Sequence, residues 1–361
     1  MNVLMIFNGH NVGGAELQFL ELAQHMSRNH TVSVVSIHGD QAVKHFELTS
    51  QIPLFSFPYQ TSPYQRKIGA IGQLLKAVNF GRRIKPDAII STSFTGNLLA
   101  FLISKFLPAR LLSLQTVAKA MAYPKLDRAI LRRFDVLIAG CSDIKHYLLA
   151  HGQSEDSIKV VNNWVDFSSR VVSQSPSAIR ERLGIAQDKT IIGCVGRMHE
   201  QKGQEFLIRA FRELAETRSD LKLLLVGDGP RMQEMRDEAD GHPDIIFTGT
   251  AQGDDYNAFL NAIDIYVQPS RYEGLPRTLL DAMYMKRPVI ATAVNGNVDA
   301  IQDKRNGILV APESSSGIYT ALTLLLNNPG LSRAISEHAY FSAIENFSAG
   351  SQLDKIESAL K

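Results

Sequence analysis

Apolar positions recur along this chain in two rhythms. Short runs rich in Val, Ile and Leu predict strands at Val3–Phe7, Thr31–Ile37, Ala88–Ser91, Leu111–Gln115, Val136–Gly140 and Lys159–Val161. Between them the apolar residues fall at helical spacing. Leu17, Leu20 and the pair Phe19, Leu22 mark a helix over Ala15–Met26, and the pattern predicts others over Ile68–Arg83 and Asp143–Ala150. The second half repeats the alternation. Strands are expected at Thr190–Val195, Lys222–Val226, Ile245–Thr248, Ile265–Gln268, Val289–Ala291 and Gly307–Val310, with helices near Gln204–Thr217, Arg231–Asp240, Tyr256–Asn261 and Arg277–Met285. Alternating strands and helices imply α/β architecture, with parallel sheets wound on both faces. Phe167–Ser177 is Ser-rich and weakly patterned, and reads as a linker between two such domains. Their ligands would lie at the carboxyl ends of the strands, in a cleft between the sheets.

Composition narrows the class. The chain has 361 residues, 45% hydrophobic and 20% charged, with 25 Gly and 14 Pro, which excludes collagen-like and disordered chains. A formal net charge of +2 argues against a dedicated nucleic-acid binder. Two cysteines, Cys141 and Cys194, exclude a disulfide scaffold and a four-thiolate metal site. Both lie in apolar runs and read as buried thiols of a reducing compartment. Met1–Phe7 lacks a basic leader and reads as a strand, not a signal peptide. The best apolar window, Leu98–Leu107, is interrupted by Ser104 and Lys105 and is too short to span a bilayer. A cytoplasmic location is the expectation.

Charge is unevenly placed. Residues 1–173 carry 18 Lys and Arg against 11 Asp and Glu, whereas residues 174–361 carry 20 against 25. From Arg66 to Arg133 there are 13 basic residues and only Asp87 and Asp127 as acids. Such a field favours an anionic membrane surface or an anionic acceptor; solvated helix faces are the competing reading.

Three loops carry candidate chemistry. Asn8 to Glu16, with Gly9, Gly13 and Gly14, follows a strand and opens a helix. Glycines there let a ligand approach backbone amides, though the dinucleotide G-x-G-x-x-G spacing is absent and a tight turn explains the loop equally. Gly196 to Gly203 places Arg197 and Lys202 around a second strand-to-helix turn, where two cations can clamp a diphosphate. Pro269 to Met283 contains Glu273, Gly274, Leu275, Pro276 and Asp281. Pro276 suits the first turn of a helix, which would put the Gly274 and Leu275 amides at its N-terminus. Glu273 and Asp281 would stand about 12 Å apart along that helix, too far to share a proton and suited to two contacts on one extended ligand. Helix-end charge stabilisation for Glu273 and an exposed helix position for Asp281 are the plainer explanations.

Taken together, Glu273 to Asp281, Gly196-Arg197 with Lys202-Gly203, Gly227 to Pro230 and Gly13 to Glu16 resemble glycosyltransferase family 4. The resemblance covers nearly the whole chain and is strongest from Ile191 to Val310. It implies a GT-B fold: two doubly wound Rossmann-like domains facing each other across a cleft. Residues 1–170 would form the acceptor-side domain, joined by a crossover helix at about 348–361, and residues 171–347 the nucleotide-sugar domain. The implied activity is retaining transfer of a sugar from a nucleoside-diphosphate donor, in an enzyme of cell-surface polysaccharide synthesis. By position, Arg197 and Lys202 would hold the diphosphate and Glu273 the donor sugar. Gly274 and Leu275 amides would meet phosphate or sugar, and Asp281 the ribose. Gly227 to Pro230, including Gly229, and Gly249, Thr250 and Ala251 would flank the nucleobase, Gly196 would line the diphosphate loop, and Gly13 and Gly14 would approach from the first domain.

Some positions depart from the family pattern. Asp281 stands where Glu is usual, and Gln115 where a titratable His often ends a first-domain strand. Gln115 can bind a hydroxyl but cannot act as a base, and His10 is a second acceptor-side candidate. Asn295 to Asp299 replaces a Gly-Gly-x-x-Glu element. With no base evident, the phosphate oxygen itself would take the acceptor's proton. Asp254-Asp255 lacks the context of a metal motif, so no cofactor or metal is expected in the reaction. The partners implied are a nucleotide-sugar donor, a glycan or lipid-linked acceptor and an anionic membrane contacted peripherally, at the inner face of the cytoplasmic membrane; nucleic acid is not among them. Two other readings stay open: a nucleotide-sugar epimerase or hydrolase, and a non-catalytic nucleotide-sugar-binding partner in a polysaccharide assembly complex.

Overall fold

The structure is a computed structural model that describes residues 1–8, 14–37, 39, 43–44, 52–56, 75–115 and 124–360. It divides into two compact units, Met1–Asn163 with Gln352–Lys361, and Trp164–Ser351. The first is built on β1 (Asn2–Asn8), β2 (Thr31–Ile37), β3 (Leu54–Ser56), β4 (Ala88–Thr92), β5 (Arg110–Gln115), β6 (Val136–Ala139) and β7 (Ile158–Val160). All pair in parallel, in the order β3-β2-β1-β4-β5-β6-β7. Successive residues of a strand point to opposite faces, yet Val3, Leu4, Met5, Ile6 and Phe7 are all fully buried. A sheet covered on both faces requires continuous apolar runs of this kind.

The second unit holds β8 (Thr190–Val195), β9 (Leu221–Val226), β10 (Ile245–Gly249), β11 (Ile265–Gln268), β12 (Val289–Thr292) and β13 (Ile308–Val310). These are also parallel, in the order β10-β9-β8-β11-β12-β13. Two cores share the sheet: Ile191, Val195, Leu224 and Val289 pack on one side, Ile192, Cys194, Leu223 and Ile290 on the other. In both sheets the strand order reverses once, between β1 and β4 and between β8 and β11. The carboxyl ends at such a reversal are where α/β sheets bind ligands.

Several elements differ from the sequence expectation. β3 and the helices Ser93–Ser104, Pro124–Leu131, Pro176–Arg182, Asn295–Ala300, Ser315–Asn327 and Pro329–Phe347 were not predicted. Of the helix expected over Ile68–Arg83, residues 75–84 are described and helical. Phe167–Ser177 is no free linker: Phe167 sits in the second core, and Ser175 Oγ caps Pro176–Arg182 by accepting from Ala178 N–H at 3.2 Å. The boundary lies at Asn163/Trp164, because Trp164 and Val165 are buried and Val165 exchanges backbone hydrogen bonds of 3.0 Å with Phe347 and Ala349. The chain passes back to the first unit within the helix Ala349–Ala359, at Ser351/Gln352. Cys141 and Cys194 are buried and form no disulfide, and burial pushes the Cys194 thiol up to about 12. Among the described residues no helix is long and apolar enough to cross a membrane.

Candidate functional site

β8 and β11 are neighbours, and their carboxyl ends run into the loops Gly196 to Gly203 and Pro269 to Pro276. Gly203 lets these loops close on each other. Its φ is +61°, and a Cβ there would fall 2.3 Å from the Pro269 carbonyl oxygen, so no other residue fits without a shift. The Arg271 amide donates to Gln201 O at 2.8 Å. The Arg271 guanidinium donates to Glu200 O at 2.6 Å and pairs with Glu205 at 2.9 Å and Glu313 at 2.6 Å.

That closure brings Lys202 to Glu273. The ammonium donates to Glu273 Oε1 at 2.6 Å. The same oxygen accepts from Ser270 Oγ at 2.6 Å and Gln268 Nε2 at 2.9 Å, while Oε2 takes Gln201 Nε2 at 3.4 Å. Glu273 is only 8% exposed. Behind it, the Tyr266 hydroxyl donates to Gln268 Oε1 at 2.6 Å, and burial holds this phenol neutral well above its ordinary range. Sequence reasoning missed Gln201, Tyr266, Gln268 and Ser270. The available signal was Gln268, a polar residue ending an apolar strand just before Pro-Ser. Arg197 opens the other side. It is exposed, makes no side-chain ion pair among the described residues and lies toward Gly229, so it adds an uncompensated cation to the loop that carries Lys202.

The neighbouring turns are stitched to this centre. Gly227 N–H donates to Gly249 O at 2.8 Å and Met198 N–H to Asp228 O at 2.9 Å, which draws Gly229 and the Gly249–Ala251 segment toward Gly196. Thr250 is exposed there, and Ala251 is half-buried against the core. Pro276 proves to be the N-cap of the helix Arg277–Tyr284, with extended ψ, rather than its first residue, so the Gly274 and Leu275 amides precede the helix. The segment Asn295 to Asp299 backs them. A Cβ on Gly296 would stand 1.7 Å from Gly274 O, and Asn297 Nδ2 donates to Thr292 O at 3.0 Å while Thr292 Oγ1 donates to Ser270 O at 2.5 Å.

Asp281 is not an exposed helix residue. It is 1% exposed, accepting from Arg170 Nε at 2.7 Å and from the Tyr256 hydroxyl at 2.6 Å. Burial, then the Asp281 charge, drives the Tyr256 phenol well above its ordinary range. A ribose diol reaches this carboxylate only when one of those partners moves. His199 has a local role, accepting the Gln201 amide on Nδ1 at 3.2 Å. Asp254 takes Ser173 N–H at 3.1 Å, Asp255 pairs with Arg182 at 2.7 Å, and Gln174 Nε2 donates to both carboxylates at 3.4 Å.

In the first unit Gln115 ends β5 and donates to Ser113 Oγ at 2.7 Å, next to Asn97, which accepts from Ser113 and Ser91 at 2.8 Å. Gln115, Asn8, Glu16, Thr92 and Ser93 line a cavity of about 300 Å³ at the carboxyl ends of β1, β4 and β5. Gly14 opens the helix Gly14–Met26; His10 and Gly13 lie outside the described residues.

Comparison with known proteins extends this picture. Residues 12–169 match the family described as Glycosyltransferase Family 4, and residues 189–328 that described as Glycosyl transferases group 1. The alpha-D-kanosaminyltransferase of Streptomyces kanamyceticus is 34% identical over 164 residues, 45% of this chain and 42% of that protein. The putative teichuronic acid biosynthesis glycosyltransferase TuaC of Bacillus subtilis (strain 168) is 29% identical over 177 residues, 49% of this chain and 43% of that protein. The chain spans about half the length of the curated relatives it first matches. Among solved structures, Anabaena Alr3699/HepE in complex with UDP superposes with a TM-score of 0.87 at 20% identity, covering 100% of this chain and 99% of that one. WaaG, a glycosyltransferase involved in lipopolysaccharide biosynthesis, gives 0.75 at 18% identity, covering 100% of both chains. The shared architecture is GT-B, two Rossmann-like α/β domains.

Proposed function

Since this chain belongs to glycosyltransferase family 4, we propose that it moves a sugar, with retention, from a nucleoside-diphosphate donor to a hydroxyl of a glycan or lipid-linked glycan in cell-surface polysaccharide synthesis. One observation carries the reading. At the strand-order reversal of the second unit, Lys202 and buried Glu273 form a fixed pair, and the exposed Arg197 stands in the same loop as Lys202. The solved relatives that hold UDP and UDP-glucose support a nucleoside-diphosphate donor.

The chemistry follows from these charges. The bond between the anomeric carbon and the diphosphate oxygen breaks, and its electron pair leaves on the diphosphate. Arg197, Lys202 and the Gly274 and Leu275 amides meet that growing negative charge before it forms, which is where electrostatic catalysis gains most. The acceptor oxygen bonds to the same face of the anomeric carbon, and its proton passes to the departing phosphate oxygen. Glu273, locked by four donors, orients Lys202 and contacts the donor sugar. The step asks no metal of the protein, so added Mg²⁺ or Mn²⁺ is expected to leave turnover unchanged.

The acceptor side rests on the first unit, where Gln115, Glu16 and Ser93 line the cavity. Its basic surface carries exposed Leu75 and Phe106, with Arg82 over the Phe106 ring and Lys105 over the Phe101 ring. Cations around exposed apolar side chains suit a peripheral contact with anionic lipid from the cytoplasmic side.

The test is release of nucleoside diphosphate from a panel of UDP-, GDP- and ADP-sugars with lipid-linked glycan acceptors. Acceptor-dependent release from one donor, lost in Glu273→Ala, is the expected result. Acceptor-independent release would replace transfer by hydrolysis, and binding without release by a carrier role.

A further inference from the structure

The helix Gly14–Met26 ends near His25, and the turn into β2 carries Asn29 and His30. Gln352–Lys361 belongs to this same unit. Asp354 and Glu357 stand three residues apart on the helix Ala349–Ala359, and so share a face. His25 Nε2 lies 3.4 Å from Glu357 Oε2 and 3.7 Å from Asp354 Oδ1, and His30 Nε2 lies 3.2 Å from Glu357 Oε1. The two imidazoles are 14% and 11% exposed. His25 Nε2 is shut from water and makes no hydrogen bond, although both carboxylates lie near it. A buried imidazole nitrogen that stands close to two carboxylates, yet hydrogen-bonds to neither, is placed to share them with a third body.

A tetrahedral transition-metal ion fits that place. Ligands about 2.1 Å from such an ion stand about 3.4 Å from one another. His25, Asp354 and Glu357 offer ligand atoms that lie within 4.8 Å of one another, and the two edges from His25, at 3.4 and 3.7 Å, are close to that spacing. The remaining oxygen of Glu357 accepts from Asn29 Nδ2 at 3.0 Å and faces His30, an outer set of contacts that turns Oε2 toward His25. A neutral imidazole with two carboxylates suits Zn²⁺ better than Mg²⁺ or Ca²⁺, which favour oxygen alone. We infer that His25 Nε2, Asp354 Oδ1 and Glu357 Oε2 bind one zinc-type divalent cation, with water completing its shell. The ion fastens the C-terminal helix to the first helix of the same unit. It is separate from the Lys202–Glu273 centre and does not depend on the activity proposed above.

The experiment uses the full chain without a histidine tag, stripped with a chelator, dialysed and titrated with Zn²⁺ alone. One zinc per chain by elemental analysis is expected, with a melting temperature raised by about 5 °C at an ion concentration far above Kd. Co²⁺ in its place should give the visible absorption of a four-coordinate site. His25→Gln and Glu357→Gln should each weaken Zn²⁺ binding at least about ten-fold and remove the thermal shift. Asp354→Asn alters a side chain that is 76% exposed, so it tests the site in a folded protein should the other variants fail to fold. His338→Gln, whose ring meets Arg305 O in the second unit, should change nothing. The proposal is overturned if Zn²⁺ neither binds nor shifts the melting temperature, if Mg²⁺ gives an equal shift, or if binding survives in Asp354→Asn. Stabilisation on acidification without any effect of Zn²⁺ would assign the cluster to protonated imidazoles instead.

Discussion

Arg197 and Lys202 differ in what they cost to lose. Arg197 is exposed and pairs with no described side chain, so Arg197→Ala should leave the denaturation midpoint unchanged while lowering kcat about 100-fold. Steady-state kinetics beside a melting curve would separate the two effects. Lys202→Ala leaves a carboxylate whose side chain is 5% exposed without its cation, and should cost about 3 kcal/mol in urea unfolding besides its effect on turnover. Asp127 makes a separate, pH-dependent prediction. It is 1% exposed with Oδ1 unpartnered, and burial pushes its carboxyl from 3.8 up to about 6. Folding therefore favours the protonated form. That contribution is fully present below about pH 4, and stability falls as pH rises through 6, by about 3 kcal/mol. Asp127→Asn should raise the melting temperature at pH 8 and leave it unchanged at pH 4; an equal effect at both would contradict this account.

At the scale of elements, two glycines hold the loops in place. A Cβ on Gly203 meets Pro269 O and one on Gly296 meets Gly274 O, so Gly203→Ala and Gly296→Ala should each destabilise by about 2 kcal/mol or more and cut turnover through displaced loops. Unchanged activity in both variants would show that loop register is irrelevant to catalysis. The strands other than β3 were legible because short runs rich in Val, Ile and Leu mark them. Helices that pack against neighbours on several sides were not. Ser93–Ser104 is apolar nearly all round, so it shows no stripe. The buried line of Pro329–Phe347 runs through Ile335, Ala339, Ala343 and Phe347, where two alanines weaken the hydrophobic signal. β3 has only three residues, too few for any period. Within the site, the loops bearing Arg197, Lys202 and Glu273 were readable, because cations and a carboxylate beside glycines stand out. The partners of Glu273 were not, since Gln268 and Ser270 gain meaning only when β11 ends against β8. Nor was the burial of Asp281, which depends on Arg170 and Tyr256, distant in sequence.

At the scale of the molecule, each unit repeats one design, a parallel sheet whose strand order reverses once, with candidate residues gathered at that reversal. Charge divides between the two, the first 173 residues carrying a surplus of Lys and Arg and the rest a surplus of acids. Binding to vesicles containing anionic lipid should therefore be strong at low salt and fall as salt rises, and Phe106→Ser should weaken it; no sedimentation at low salt would remove the membrane from the account. The central claim is that Arg197 and Lys202 receive a nucleoside diphosphate. Its most direct test is the melting temperature of the full chain with UDP, GDP, ADP or CDP, for the native protein and for Arg197→Ala. The account predicts that one nucleotide raises it by several degrees whether or not Mg²⁺ is added, and that Arg197→Ala loses most of that shift. No shift from any of the four, or a shift untouched by Arg197→Ala, would contradict it.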